Sequence, residues 1–192
     1  VRGTDYTIEE GAIVFFPGKL ASCGEGCSAL GEMIITVKAS GYYDQQVSQS
    51  IFAFPPTLTA DVTDNDTVHP IVLTFTDDLD WRGSITAVMD GSTVLTQDTD
   101  YLIESGTITF GAGVLAAGEH IITVLATGHY DTEVNQFVYA IPPALTADET
   151  DNDAAHSITL TFTDNAAWRG AITSVKAGAV TLNEGTDYTI GA

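Results

Sequence analysis

An all-β chain of tandem modules is what this sequence predicts, and three observations predict it. The stretch Pro55 to Asp66 (PPTLTADVTDND) returns at Pro142 to Asp153 as PPALTADETDND, a period of 142 − 55 = 87 residues. Apolar and polar residues alternate at period two almost throughout, which is the spacing of half-buried strands. No window carries a helical stripe longer than a turn or two; the best short candidate is Asp78 to Ser84 around Trp81, and Gly83 limits it. A unit of 87 residues is a small domain with its own core, not one turn of a solenoid. Seven or so short strands per unit, punctuated by Gly, Asp and Pro, imply tandem immunoglobulin-like β-sandwich modules.

The repeat does not start with the chain. Thr4-Asp-Tyr-Thr-Ile matches Thr99-Asp-Tyr-Leu-Ile at an offset of 99 − 4 = 95, whereas Ala39-Ser-Gly-Tyr-Tyr-Asp matches Ala126-Thr-Gly-His-Tyr-Asp at 126 − 39 = 87. The difference places an eight-residue insertion in the loop between Pro17 and Gly31. Residues 1–54 therefore read as the second half of a repeat, 55–141 as a complete one, and 142–192 as the first half of another.

Within the complete repeat, the Asp-rich run reads as a loop after the first strand. In Ile71-Val-Leu-Thr-Phe-Thr the residues Ile71, Leu73 and Phe75 share one face; Thr107-Ile-Thr-Phe points Ile108 and Phe110 inward. Ile121 to Ala126 and Glu133 to Tyr139 continue the alternation with β-branched and aromatic residues. Trp81 and Trp168 fall at equivalent positions and are expected to plug the same core site in successive repeats. The pairs Pro55-Pro56 and Pro142-Pro143 mark stiff junctions, because proline fixes φ.

The charge excludes some functions. A formal net charge of −20, from 6 Lys+Arg against 26 Asp+Glu, leaves no basic cluster for nucleic acid or an anionic membrane. No stretch approaches the roughly 18 apolar residues of a membrane span. No signal peptide is visible, and the first residue is Val1, which suggests a processed or excised product.

The motif PPxLTADxTDND, followed by a strand ending in TFTD, then Trp, an IT-V run, TDY-I and a closing A-GY-D, resembles the Shr-like haemoglobin-interacting domain repeat. Repeats of that kind occur in tandem in surface proteins of Gram-positive bacteria, often beside S-layer anchoring modules. The resemblance implies an extracellular location at the bacterial cell surface and a role in adhesion. Haemoglobin, another host protein or a glycan are the ligands it suggests. No Tyr or His arrangement singles out an axial haem ligand.

Acidic residues supply the chemical candidates. Asp61, Asp64 and Asp66, with their copies Asp148, Asp151 and Asp153, form an Asp-x-x-Asp-Asn-Asp run, while Asp77, Asp78 and Asp80 answer Asp164 and Asn165. Two uses fit: oxygen ligands of a Ca²⁺ ion stiffening the junction, the one cofactor candidate, or Asx turns whose side chains bond nearby amides. The run lacks the glycine and bidentate glutamate of a helix-loop-helix calcium site. Cys23 and Cys27 lie in the inserted loop, where an even count favours a disulfide, with each other or with a neighbouring chain. His69, His120, His129 and His156 show no metal-ligand spacing. Tyr42, Tyr43, Tyr101, Tyr130 and Tyr188 could stack a sugar or simply pack in strands. No nucleophile and base are distinguished, so the chain reads as a non-enzyme.

The half-repeats carry the strongest functional expectation. The segment 142–192 has the apolar set Ile158, Leu160, Phe162 and Trp168; the segment 1–54 has Ile13, Phe15, Ile34 and Val37. Neither half covers its own apolar face, and uncovered faces and strand edges associate. The sequence thus predicts a structural protein that completes split domains between subunits, head to tail, into a filament. Its competitor is a binding module excised from a longer tandem protein.

Overall fold

The computed structural model describes residues 1–20 and 31–191. Cys23 and Cys27 lie outside the described residues. The chain divides into two compact units, Val1–Ala140 and Ile141–Ala192.

The first unit opens with two local hairpins. Strands β1 (Tyr6–Glu9) and β2 (Ala12–Phe15) pair antiparallel, as do β3 (Gly31–Val37) and β4 (Gln45–Ile51). Seven strands follow: β5 (Ile71–Thr74), β6 (Ile85–Asp90), β7 (Thr93–Val94), β8 (Tyr101–Glu104), β9 (Thr107–Phe110), β10 (Gly118–Ala126) and β11 (Thr132–Val138). They form one sheet in the order β5-β9-β8 and another in the order β11-β10-β6-β7. Between β5 and β6 lies the five-residue helix α1 (Leu79–Gly83). Asp78 caps it by accepting from the amides of Asp80 and Trp81, both at 3.0 Å, which satisfies donors that so short a helix cannot pair internally.

One hydrophobic cluster draws on both sheets. Ile71, Leu73 and Phe75 from the β5 side, with Tyr101, Ile108 and Phe110, meet Val88, Ile122, Val124 and Val138, and Trp81 is buried among them. The alternation seen in the sequence is thereby realised: Ile71, Leu73, Phe75, Ile108 and Phe110 are all buried. Phe75 meets Trp81 edge-on, with ring centroids 5.0 Å apart. At the β8–β9 turn Gly106 has φ +76°, and a Cβ there would meet the carbonyl of Phe75 at 3.2 Å. That carbonyl's own residue donates its amide to Gly106 at 2.9 Å, so the turn and the Phe75 backbone are packed too closely for a side chain.

The strand expected before the Asp-rich loop is reduced to a single bridge, Thr59 with Thr74. Pro55 and Pro56 lack amide donors for a longer ladder, and the Asp side chains that follow draw the backbone into turns instead.

The second unit contains α2 (Ala166–Gly170) and the hairpin of β12 (Val175–Ala177) with β13 (Val180–Leu182). Asn165 caps α2 through the amide of Trp168 at 3.0 Å. Residues 158–161, the sequence counterpart of β5, form no strand beyond a single bridge of Thr161 with Thr146. No helix among the described residues is long and apolar enough to cross a membrane.

Candidate functional site

The acidic residues are used locally. Asp61 accepts from the amides of Thr63 and Val72, at 2.9 and 2.8 Å, and Asp148 repeats this with Thr150 and Thr159, at 3.0 and 2.8 Å. Asp64 and Asp151 take left-handed φ values of 50° and 48°, a conformation that Asp tolerates. Asp66 accepts from the amide of Val68 at 2.9 Å and lies 2.8 Å from Nδ1 of His69; Asp153 does likewise with Ala155 and His156. Asp77 holds Arg82 and the hydroxyl of Ser105, while Asp164 holds Arg169. Asp78 serves as the cap of α1. Among the described residues no group of three or more His, Cys, Asp or Glu is brought together as a metal site. Asp61, Asp66, Asp78, Asp148 and Asp153 thus bond amides close by in their own loops, while Asp77 ties α1 to the β8–β9 turn through Ser105.

Hydrogen bonding shifts several of these groups. The Val68 amide is the chief cause that holds the Asp66 carboxyl below 3.8, with His69 contributing. His69 is raised above 6.5, first by its bond to Asp66. Asp77 is lowered chiefly by Ser105 and next by Arg82, and Asp148 by the Thr159 amide. These shifts follow from bonds that shape loops, so they mark local order more than reactive chemistry.

Aromatic residues supply the most distinctive surface. Ala53 donates its amide to Gly128 at 2.9 Å, and Tyr130 donates back to Ala53 at 3.0 Å, which lays the segment after β4 along the β10–β11 turn. Residues 52 and 54 share one side of that extended segment. Both rings pack on Tyr130, Phe52 at 5.4 Å and Phe54 at 5.3 Å between centroids. Phe54 nevertheless remains 86% exposed, and Phe52 and Tyr130 stay about half exposed. His129 is buried beside this turn, with Nδ1 3.1 Å from the carbonyl oxygen of Thr127. At the sequence-equivalent β3–β4 turn, Tyr42 and Tyr43 stand almost fully exposed.

Of the tyrosines considered for stacking, Tyr101 is buried in the core and belongs to no surface, whereas Tyr42, Tyr43 and Tyr130 are exposed. Phe52 and Phe54 were not predicted as site residues. Their Phe-Ala-Phe alternation next to Pro55-Pro56 was the available signal, since large rings beside a junction have no strand face to cover. The depressions in the described surface, around Pro143 and Phe162 and around Asp61 and His69, are open and shallow.

Among the apolar residues expected at an assembly face, Ile34 and Val37 are three apart on β3 and so point to opposite sides. The face of Val37 carries Met33 and Ile35, and Ile34 is a correction to the predicted set. Ile13 and Val37 are more than a third exposed, Ile158 and Leu160 more than half, and Phe15, Phe162 and Trp168 partly buried.

Comparison with known proteins gives one match by family. The family described as "heme-binding protein Shr-like, Hb-interacting domain" matches residues 58–139 and again 145–192. No curated protein and no solved structure matches significantly.

Proposed function

We propose a function from the premise that this chain belongs to the family of Shr-like haemoglobin-interacting domains: it is a cell-surface module that binds haemoglobin, a host protein, through protein–protein contacts. The contact surface is the patch of Phe52, Phe54 and Tyr130. The observation that carries the reading is an aromatic cluster fixed by backbone bonds yet left in solvent, on a chain of this family. Rigid exposed aromatics are the residues that dominate protein interfaces, because they bury large area at little cost in side-chain entropy.

Within this reading residues 55–141 form one complete repeat, an immunoglobulin-like sandwich recurring at 87 residues, to which Phe52 and Phe54 of the preceding segment add the contact surface, and its role is non-catalytic. Two sheets facing one core support the sandwich. Calorimetric titration of the 192-residue chain with haemoglobin tests the proposal. Binding is expected, and Phe54→Ala with Tyr130→Ala should weaken it at least tenfold, the ordinary effect of losing a hot spot. Equal affinity in wild type and double variant would move the site elsewhere; no binding of haemoglobin, with capture of a glycan instead, would replace the ligand class.

A further inference from the structure

At one end of the complete repeat a histidine ring is bonded on both sides. His120, near the start of β10 and with a side chain only 11% exposed, has Nδ1 2.8 Å from a carboxylate oxygen of Asp90 and Nε2 2.8 Å from the carbonyl oxygen of Ala116. Both partners are acceptors. A neutral imidazole carries one N–H and serves one of them, whereas the imidazolium donates to both. The pair of contacts therefore needs one proton more than a neutral ring beside a carboxylate possesses.

The fold brings these groups together from separate elements. Asp90 ends β6, where it pairs with Ile122, and the next amide, that of Gly91, is held by the Ile121 carbonyl at 2.9 Å. Residues two apart on a strand share a face, so His120 stands on the side of buried Ile122 and within reach of Asp90. Ala116 belongs to the connection from β9 to β10, residues 111–117 (GAGVLAA). Leu115 anchors that connection in the core, and the amides of Gly111 and Val114 bond the carbonyls of Asp100 and Gly111, both at 3.1 Å. The His120 ring ties its far end to β6.

We infer that His120 is a pH-sensitive latch: the protonated ring fastens the 111–117 connection to β6, and loss of a ring proton to water releases the connection at Ala116. Charge decides which bond goes. A carboxylate is the stronger acceptor, so the neutral ring keeps its one proton on Nδ1 toward Asp90 and turns the Nε2 lone pair toward the Ala116 carbonyl. Two acceptors then face each other, and the carbonyl moves away to find another donor. In acid strong enough to protonate Asp90 the Nδ1 bond loses its charge. The latch is thus firmest between the carboxylate range and the titration of the ring.

The surroundings leave the switch to this pair. Opposite His120 on β11 stands Gln136, neutral and buried; Glu119 points to the other side of β10, and neither β7 nor the 111–117 connection carries an ionisable side chain. The turn beside the connection holds Asp66 and His69, for a Cβ on Gly113 would lie 3.7 Å from the Thr67 carbonyl oxygen. His69 is raised above 6.5, first by its bond to Asp66, so that turn also loses stability as pH rises. The latch is confined to this repeat: Met33 stands at the position of His120 (120 − 87) and Ala177 at that of Asp90 (90 + 87).

The test follows the isotope-labelled 192-residue chain by NMR from about pH 5 to about pH 9, which spans an ordinary imidazole titration. Both ring nitrogens of His120 should carry protons at the acid end. At the alkaline end Nε2 should be bare, and the Ala116 carbonyl carbon should shift with the same midpoint. Protection of the Val114 amide against exchange should fall roughly three- to tenfold, the effect of one net hydrogen bond. His120→Gln should flatten the pH dependence of that protection, with buried Trp81 reporting that the core is folded. A bare Nδ1, an Ala116 carbonyl that does not follow the ring, or an undiminished step in His120→Gln would overturn the inference. The first two are read on the unaltered chain and decide the matter even if the variant does not fold.

Discussion

Asp66 and His69 show how one side chain organises a loop. Asp66 binds the Val68 amide and the His69 ring, and each group shifts the other toward its charged form. The lowered carboxyl contributes stability above its unfolded pKa, and that contribution is lost as pH falls through the native value, below 3.8. The raised imidazole contributes below 6.5, and that is lost as pH rises through its higher native value. The loop is therefore held most firmly in mildly acidic solution, above the carboxylate range and below about 6.5. In Asp66→Asn the His69 titration followed by NMR should fall back toward 6.5; an unmoved midpoint would show that another group sets it.

Two near-copies of one segment behave differently as elements in different surroundings. Ile71-Val-Leu-Thr forms β5 because β9 lies beside it, whereas its copy Ile158-Thr-Leu-Thr, of similar propensity, makes no strand. Strand backbone needs a partner for its amides, and among the described residues of the second unit this segment has the bridge between Thr146 and Thr161. Helix α2 and the β12–β13 hairpin form there regardless, since their bonds are local. Hydrogen exchange should accordingly protect the amide of Leu73 strongly and that of its copy Leu160 weakly. Equal protection would mean that the segment is covered as well as β5 is.

At the scale of the molecule, two separate units imply two separate responses to damage. Trp81 is fully buried in Val1–Ala140, whereas Trp168 is partly exposed in Ile141–Ala192. Trp81→Ala should destabilise the first unit by about 3–5 kcal/mol, the cost of a large cavity. Trp168→Ala should leave the unfolding of the first unit in place, as calorimetry would register. A common loss in both variants would show that the units unfold as one.

Period-two alternation and the Asp-Trp-Arg-Gly run sufficed, without any coordinates, to read β5, β9 and α1 and to point Ile71, Leu73, Phe75, Ile108 and Phe110 inward. Three things required the folded chain. Alternation does not tell which of two adjacent isoleucines shares the face of Val37; the backbone of β3 puts Ile35 there and Ile34 on the opposite side. Asp spacing is shared by turns and metal loops, and only the folded chain shows the Val68, Val72 and Thr159 amides bonded to these carboxylates. Finally, the aromatic patch arises because Ala53 meets Gly128, a contact between residues 75 apart in sequence (128 − 53), and no local pattern encodes so distant a meeting.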